Sequence, residues 1–146
     1  GNDKKALLWD TRTAQIIYTF EHKSRVEVVA LEKSGKFAFT ADVLTSHNIW
    51  DLKSGKLFQP LNYIERFHWF SSATFSADGK WLLTGSPNKK VKLWNVSTGD
   101  EVNKWEVMAT GMGASIYAVG FDNHGNVLSE NSSGIGEKFR RIDLVR

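Results

Sequence analysis

The chain has 146 residues, 41% hydrophobic and 24% charged, with a formal net charge of +3. That is one domain's length with enough apolar residues for a core, which excludes disorder as the default. Cysteine is absent. This excludes disulfides, thiolate metal sites and cysteine nucleophiles. The small net charge and the lack of like-charge blocks predict no nucleic-acid partner. No apolar run approaches the roughly 18–20 residues of a membrane helix, so no membrane insertion is expected.

In chain order, the first predicted element is a strand over 4–10 that closes on Leu8-Trp9-Asp10. A polar turn follows, then an apolar set at Ile17 and Phe20, then another at Val26, Val29 and Leu31. The turn Lys33-Ser34-Gly35-Lys36 leads into Phe37 and on to Ile49-Trp50-Asp51. The same order then recurs. Phe58 and Leu61 are followed by Phe70, Ala73 and Phe75, the turn Ala77-Asp78-Gly79-Lys80, Trp81, and Leu93-Trp94-Asn95. A third pass runs through Val102, Trp105, Ile116, Val119, Phe121, the turn Asn123-His124-Gly125-Asn126, Val127 and Arg141-Ile142-Asp143. Val, Ile, Phe, Trp and Thr dominate these runs, and Gly, Asn, Asp and Ser dominate the turns between them. No window sustains a 3.6-residue apolar period, so the fold class is all-β.

The spacing from Trp9 to Trp50, Trp94 and Ile142 is 41, 44 and 48 residues. Four strands per unit, with Trp-Asp closing the last, resembles the tryptophan–aspartate (WD) repeat β-propeller family. The segment FSADGKWLLTGSPNKKVKLWNVSTG at 75–99 carries the resemblance most strongly. The resemblance implies blades of four antiparallel strands, with repeats at about 11–52, 53–96 and 97–144 after the opening strand. It also implies a set of His, Ser/Thr, Asp and Trp that hydrogen-bond within a blade. His22 and Trp50 fit that set in the first repeat, where Leu44 stands at the Asp place. Ser86 and Trp94 fit it in the second, with Asn88 at the Asp place. In the third, Met112 falls near the His place and Ile142 at the Trp place. Trp9, Trp50 and Trp94 are expected to pack between blades, with His22 and Ser86 as structural partners.

Lettering each repeat d, a, b, c gives thirteen strands, about three and a quarter blades. A propeller closes with four to eight four-stranded blades. The chain, which opens on Gly1 rather than Met, is therefore expected to be part of a larger propeller. Its remaining blades would lie on another segment or another chain, or be supplied by self-association. The a–b and c–d turns are expected to keep one length, and the extra residues fall in the d–a and b–c loops. In an up-and-down blade those loops share one face, and insertions confined to one face mark a binding face.

The candidate partner-binding residues on that face are Trp69, Arg66, His68, Arg25, Lys23 and Lys89. Trp69 is out of phase with the core residue Phe70 and aligns with polar Arg25 and Ser115, so it should point away from the core. Tryptophan and arginine dominate interface hot spots. The four histidines, His22, His47, His68 and His124, show no metal-ligand spacing, and no Gly-x-Ser-x-Gly elbow is present. No catalytic residue, metal or cofactor is expected. The resemblance implies a non-catalytic scaffold for a protein or peptide, and the cations allow a phosphopeptide. The alternative is a propeller-class hydrolase with a central-channel site, but Val26, Phe70 and Ile116 at the first inner-strand positions offer no ligands.

Overall fold

The computed structural model describes residues 3–62, 69–106, 116–131 and 136–139. Among them are thirteen strands and no helix. They form four antiparallel sheets. The first holds β1 (Lys5–Asp10) and β2 (Gln15–Glu21). The second is β3 (Val26–Leu31), β4 (Phe37–Asp42), β5 (His47–Asp51) and β6 (Lys56–Pro60). The third is β7 (Ser72–Phe75), β8 (Trp81–Gly85), β9 (Lys90–Asn95) and β10 (Glu101–Glu106). The fourth is β11 (Ile116–Phe121), β12 (Val127–Asn131) and β13 (Gly136–Phe139). Each repeat thus lends its d strand to the sheet before it. Two sheets are complete blades in the order a, b, c, d. The first has only c and d, and the fourth has a, b and c.

The turns follow from local chemistry. Gly35, Gly79 and Gly125 sit at φ of +79°, +71° and +76° in the a–b turns, a region that costs glycine nothing. One residue after each a strand, Glu32, Ser76 or Asp122 turns its side chain back on the turn. Glu32 accepts the Ser34 N–H at 3.0 Å, Ser76 the Trp81 N–H at 3.1 Å and Asp122 the Asn126 N–H at 2.8 Å.

Three apolar clusters lie between successive sheets. Phe20 stacks on Trp50 at 4.7 Å between the first and second sheets. Phe39, Phe70 and Trp94 meet between the second and third. Between the third and fourth, Gly85 lets β8 approach Ile116: a Cβ there would lie 2.4 Å from Ile116 Cγ2. Ala41 holds the corresponding place in the second sheet and is buried without conflict. Gly85→Ala is therefore expected to cost about 1–3 kcal/mol through overpacking. Urea unfolding would show it as a lower midpoint at unchanged slope; an unmoved midpoint would mean the two sheets separate freely.

Several positions differ from the sequence reading. Val29 and Leu31, expected in the core, are exposed. Leu31 is 61% exposed whereas Phe75, its equivalent one blade on, is 8% exposed. The cause is the neighbour: β7 packs against a complete sheet, while β3 faces a sheet that among the described residues has only its c and d strands. Trp9 is 51% exposed for the same reason, and does not pack between blades as Trp94 does.

The fourth sheet also has another register. Leu31 pairs with Ala38 and Phe75 with Leu82, but Phe121 pairs with Val127. The third a–b turn is thus one residue shorter, and Val127 corresponds to Ala38 and Leu82, not to Phe37 and Trp81. Across the next ladder, Trp50 stands opposite Ala38, Trp94 opposite Leu82 and Phe139 opposite Val127. Phe139 takes the tryptophan's place in this ladder, and Ile142 lies outside the described residues. On this register the b–c connections are equal in length, so the variation between repeats sits in the d–a loops and in one a–b turn.

Candidate functional site

The d–a and b–c loops emerge at one end of the sheets, and a buried polar network organises them in the second blade. His22, just past β2, places Nδ1 3.2 Å from Asp42 Oδ2 and Nε2 2.7 Å from Thr40 Oγ1. The Trp50 indole N–H donates to the same Thr40 oxygen at 2.7 Å. The Asp42 carboxylate only accepts, so Nδ1 carries the proton that reaches it; Nε2 of the neutral ring then accepts from the Thr40 hydroxyl, whose oxygen accepts from Trp50. The His22 and Asp42 side chains are fully buried.

Asp42 serves the adjoining loop as well. Its Oδ1 accepts the backbone N–H groups of Leu44 and Thr45, each at 2.9 Å, and Ser46 at 3.1 Å. Its own N–H donates to the Ser46 carbonyl, and Val43 N–H to the Arg25 carbonyl. Burial favours the neutral acid, but three backbone donors and His22 outweigh it and hold Asp42 at about 2. The loop is thus closed on a buried charge, and it presents Leu44 outward, 57% exposed. Asp42 fills the acidic place that the alignment put at Leu44, so the first repeat's set is complete. In the third sheet, Trp94 Nε1 donates to Thr84 Oγ1 at 2.9 Å. The hydroxyl partner is Thr84 and not Ser86, whose backbone instead pairs with Lys90, Lys89 and Ile116.

Trp69 and Phe70 divide as their phase requires. Phe70 is fully buried, with its ring 5.2 Å from His47, 6.0 Å from Phe39 and 6.1 Å from Trp94. Trp69 is 40% exposed. Leu61 N–H donates to the His47 carbonyl and so extends the β5–β6 ladder by one pair. His47, expected in a loop, opens β5 and is buried; burial pushes its imidazole down to about 4, against the pull of Asp42.

Lys23 and Arg25 are exposed on the d–a connection, with Arg25 Nη2 3.2 Å from Glu27 Oε2. Lys89 lies half-buried in the second b–c loop at φ +66°, its N–H donating to Ser86. Arg66 and His68 lie outside the described residues. Sequence reasoning missed Leu44 as a surface residue; the signal was Asp42 two positions earlier, which can cap a loop of this length. Among the described residues, no three His, Asp or Glu converge as a metal site would require.

Comparison with known proteins places the chain among repeat proteins. A family described as "WD domain, G-beta repeat" matches residues 62–95. Pre-mRNA-processing factor 19 of Oryza sativa subsp. japonica is 28% identical over 131 residues, covering 87% of this chain and 24% of that protein. Small ribosomal subunit protein RACK1 of Drosophila melanogaster is 28% identical over 105 residues, covering 66% of this chain and 32% of that protein. WD repeat-containing protein SL1-17 of Schistosoma mansoni is 25% identical, covering 87% and 41%. The chain thus spans less than half the length of each of these relatives. Among solved structures, the computationally designed Ika4 protein superposes with a TM-score of 0.73 at 17% identity, covering 94% of this chain and 80% of that one. This last likeness concerns the fold alone.

Proposed function

Because this is a WD-repeat chain built of propeller blades, we propose that it is a non-catalytic scaffold that binds a protein or peptide partner on its d–a and b–c loop face. The observation that carries this reading is the loop Val43–Ser46, closed on the buried Asp42 and followed by His47, against which Phe70, the residue after Trp69, packs its ring. A binding loop held in one conformation loses little entropy when it docks. Leu44 and Trp69 supply the apolar anchors, and Lys23 and Arg25 supply cations at their margin. Lys89, Arg66 and His68 belong to the same reading as further contacts. The unit is proposed to work inside a closed ring, since both end sheets are incomplete among the described residues.

The test uses peptides selected from a random library on the immobilised protein. Trp69→Ala is expected to weaken a selected peptide by about 2 kcal/mol or more, roughly thirtyfold, because a central aromatic anchor is lost. Its melting temperature should barely move. Peptides that ignore the substitution would remove Trp69 from the site. A melting loss as large as that of a core tryptophan would make Trp69 a packing residue instead.

A further inference from the structure

The a–b and c–d turns, at the other end of the sheets, differ in charge from one sheet to the next. In the second sheet the two turns lie together. The Leu52 N–H donates to the Lys36 carbonyl at 3.0 Å, and Asp51 stands in the ladder between Phe37 and Lys56. These turns carry Lys33, Lys36, Lys53 and Lys56, all exposed. Turn geometry does not require them. At the place of Lys33 the third sheet has Ala77, at that of Lys53 it has Ser97, and at that of Lys56 it has Asp100. Gly55 and Gly99 nevertheless keep the same φ, +73° and +74°.

The two carboxylates of these turns are spent on the turns themselves. Glu32 is buried and accepts from the Ser34 hydroxyl and from the Ser34 and Lys36 N–H groups. Asp51 accepts the Lys53 N–H at 2.9 Å. Four outward cations against two engaged carboxylates leave this end of the sheet positive. An apolar element adjoins it. Lys36 Nζ lies 5.2 Å from the centre of the Phe37 ring, and Phe37 meets Phe58 at 4.8 Å. Phe58 is the extra residue of a β-bulge, since Trp50 pairs with Leu57 and Ile49 with Gln59. A bulge re-aims a side chain, and Phe58 is 43% exposed.

The patch has acidic borders. A Cβ on Gly79 would lie 3.2 Å from Glu32 Cγ, so the third sheet's a–b turn abuts the patch with Asp78, and its c–d turn carries Asp100 and Glu101. On the other side, the Tyr18 hydroxyl reaches the Lys53 carbonyl, and the first sheet's turn holds Asp10 3.8 Å from Arg12. A long polyanion or an anionic membrane would have to lie across these carboxylates. A short acidic segment fits between them.

We propose that the turn end of the second sheet docks a short acidic segment of a partner protein, its carboxylates on Lys33, Lys36, Lys53 and Lys56 and an apolar side chain on Phe58. This surface lies opposite the d–a and b–c loops and is independent of what those loops bind. Exposed charges are screened beyond about 8 Å at physiological salt. The lysines therefore draw the segment in, and Phe58 supplies the contact that salt spares.

The test is fluorescence anisotropy of a dye-tagged peptide, Asp-Glu-Asp-Phe-Asp-Glu-Asp, titrated with the whole 146-residue chain. Binding is expected. Replacing the four lysines together by glutamine should weaken it about tenfold or more. Phe58→Ala should weaken it about fivefold, and that loss should vanish when the peptide's phenylalanine is replaced by alanine. Circular dichroism of both variants should match the parent chain. Lys23→Gln with Arg25→Gln, at the loop end, should leave the affinity unchanged, which separates this surface from the loop face. A chain that does not bind the peptide, a lysine variant that binds as well as the parent, or a Phe58→Ala variant without effect would each overturn the proposal. So would an equal loss in the Lys23 and Arg25 variant. Oligouridylate or phosphatidylserine vesicles that bind through the same lysines more tightly than the peptide would overturn it in favour of a polyanion.

Discussion

Replacing Trp94 by alanine is expected to cost about 3–5 kcal/mol, the range for truncating a buried aromatic. Trp94 is 1% exposed, sits in the cluster between the second and third sheets, and meets the Phe70 ring edge-on. Its indole N–H satisfies Thr84, which is itself fully buried. The alanine variant therefore opens a cavity and also strands a hydroxyl. Small domains hold only about 5–15 kcal/mol in total, so this one change removes much of the margin. Trp94→Phe isolates the hydrogen bond, keeps most of the ring, and should cost about 1–2 kcal/mol. Chemical denaturation of both variants is the check. A loss under about 1 kcal/mol for Trp94→Ala would mean that the two blades do not pack through this residue.

Acid is expected to destabilise the fold in two stages. His47 is buried, and its imidazole titrates at about 4 in place of 6.5. The unfolded chain therefore takes up the proton first. Stability is complete above pH 6.5 and falls as the pH drops from there toward 4, by about 3 kcal/mol in all. Asp42 adds the second stage. Its pKa is depressed from 3.8 to about 2, so its contribution is present above pH 3.8 and is lost as the pH falls through 2. Protonated Asp42 would also let go of the loop that presents Leu44. Urea midpoints at pH 7, 5.5 and 4.5 should fall steadily. His47→Gln should flatten the dependence in that window whatever it does to stability at pH 7. An unchanged slope in that variant would remove His47 as the cause.

Much of the fold was legible because its signals are local. Alternation with a period of two places Phe70 inside and Trp69 outside, and it needs no knowledge of the neighbouring sheet. The glycines of the a–b turns mark reversals because their positive φ is a property of the turn itself. The Trp-Asp landmarks, spaced by about one blade, carry the all-β reading and the thirteen strands. The candidate site was legible only in part. Trp69, Lys23 and Arg25 could be placed on the loop face by strand alternation, whereas Leu44 could not be seen as a held apolar tip.

The remainder depended on partners that adjacent residues do not reveal. Thr84 and Ser86 are two apart and share a face of the strand, so either could meet Trp94 until the ladder register selects Thr84. Asp42 and Leu44 stand in the same relation, and only the position of His22 across the sheet decides for Asp42. The one-residue shortening of the last a–b turn is invisible in a Gly-centred alignment, yet it brings Phe139 and not Ile142 opposite Val127. Leu31 and Phe75 are alike in sequence pattern, and differ in burial because a complete sheet covers one and a half sheet adjoins the other. The sequence by itself determined the strands, the turns and the side of each strand that seeks cover. The tertiary structure decided which of those sides obtain it, because burial and hydrogen-bond pairing belong to two sheets at once and depend on the register between them.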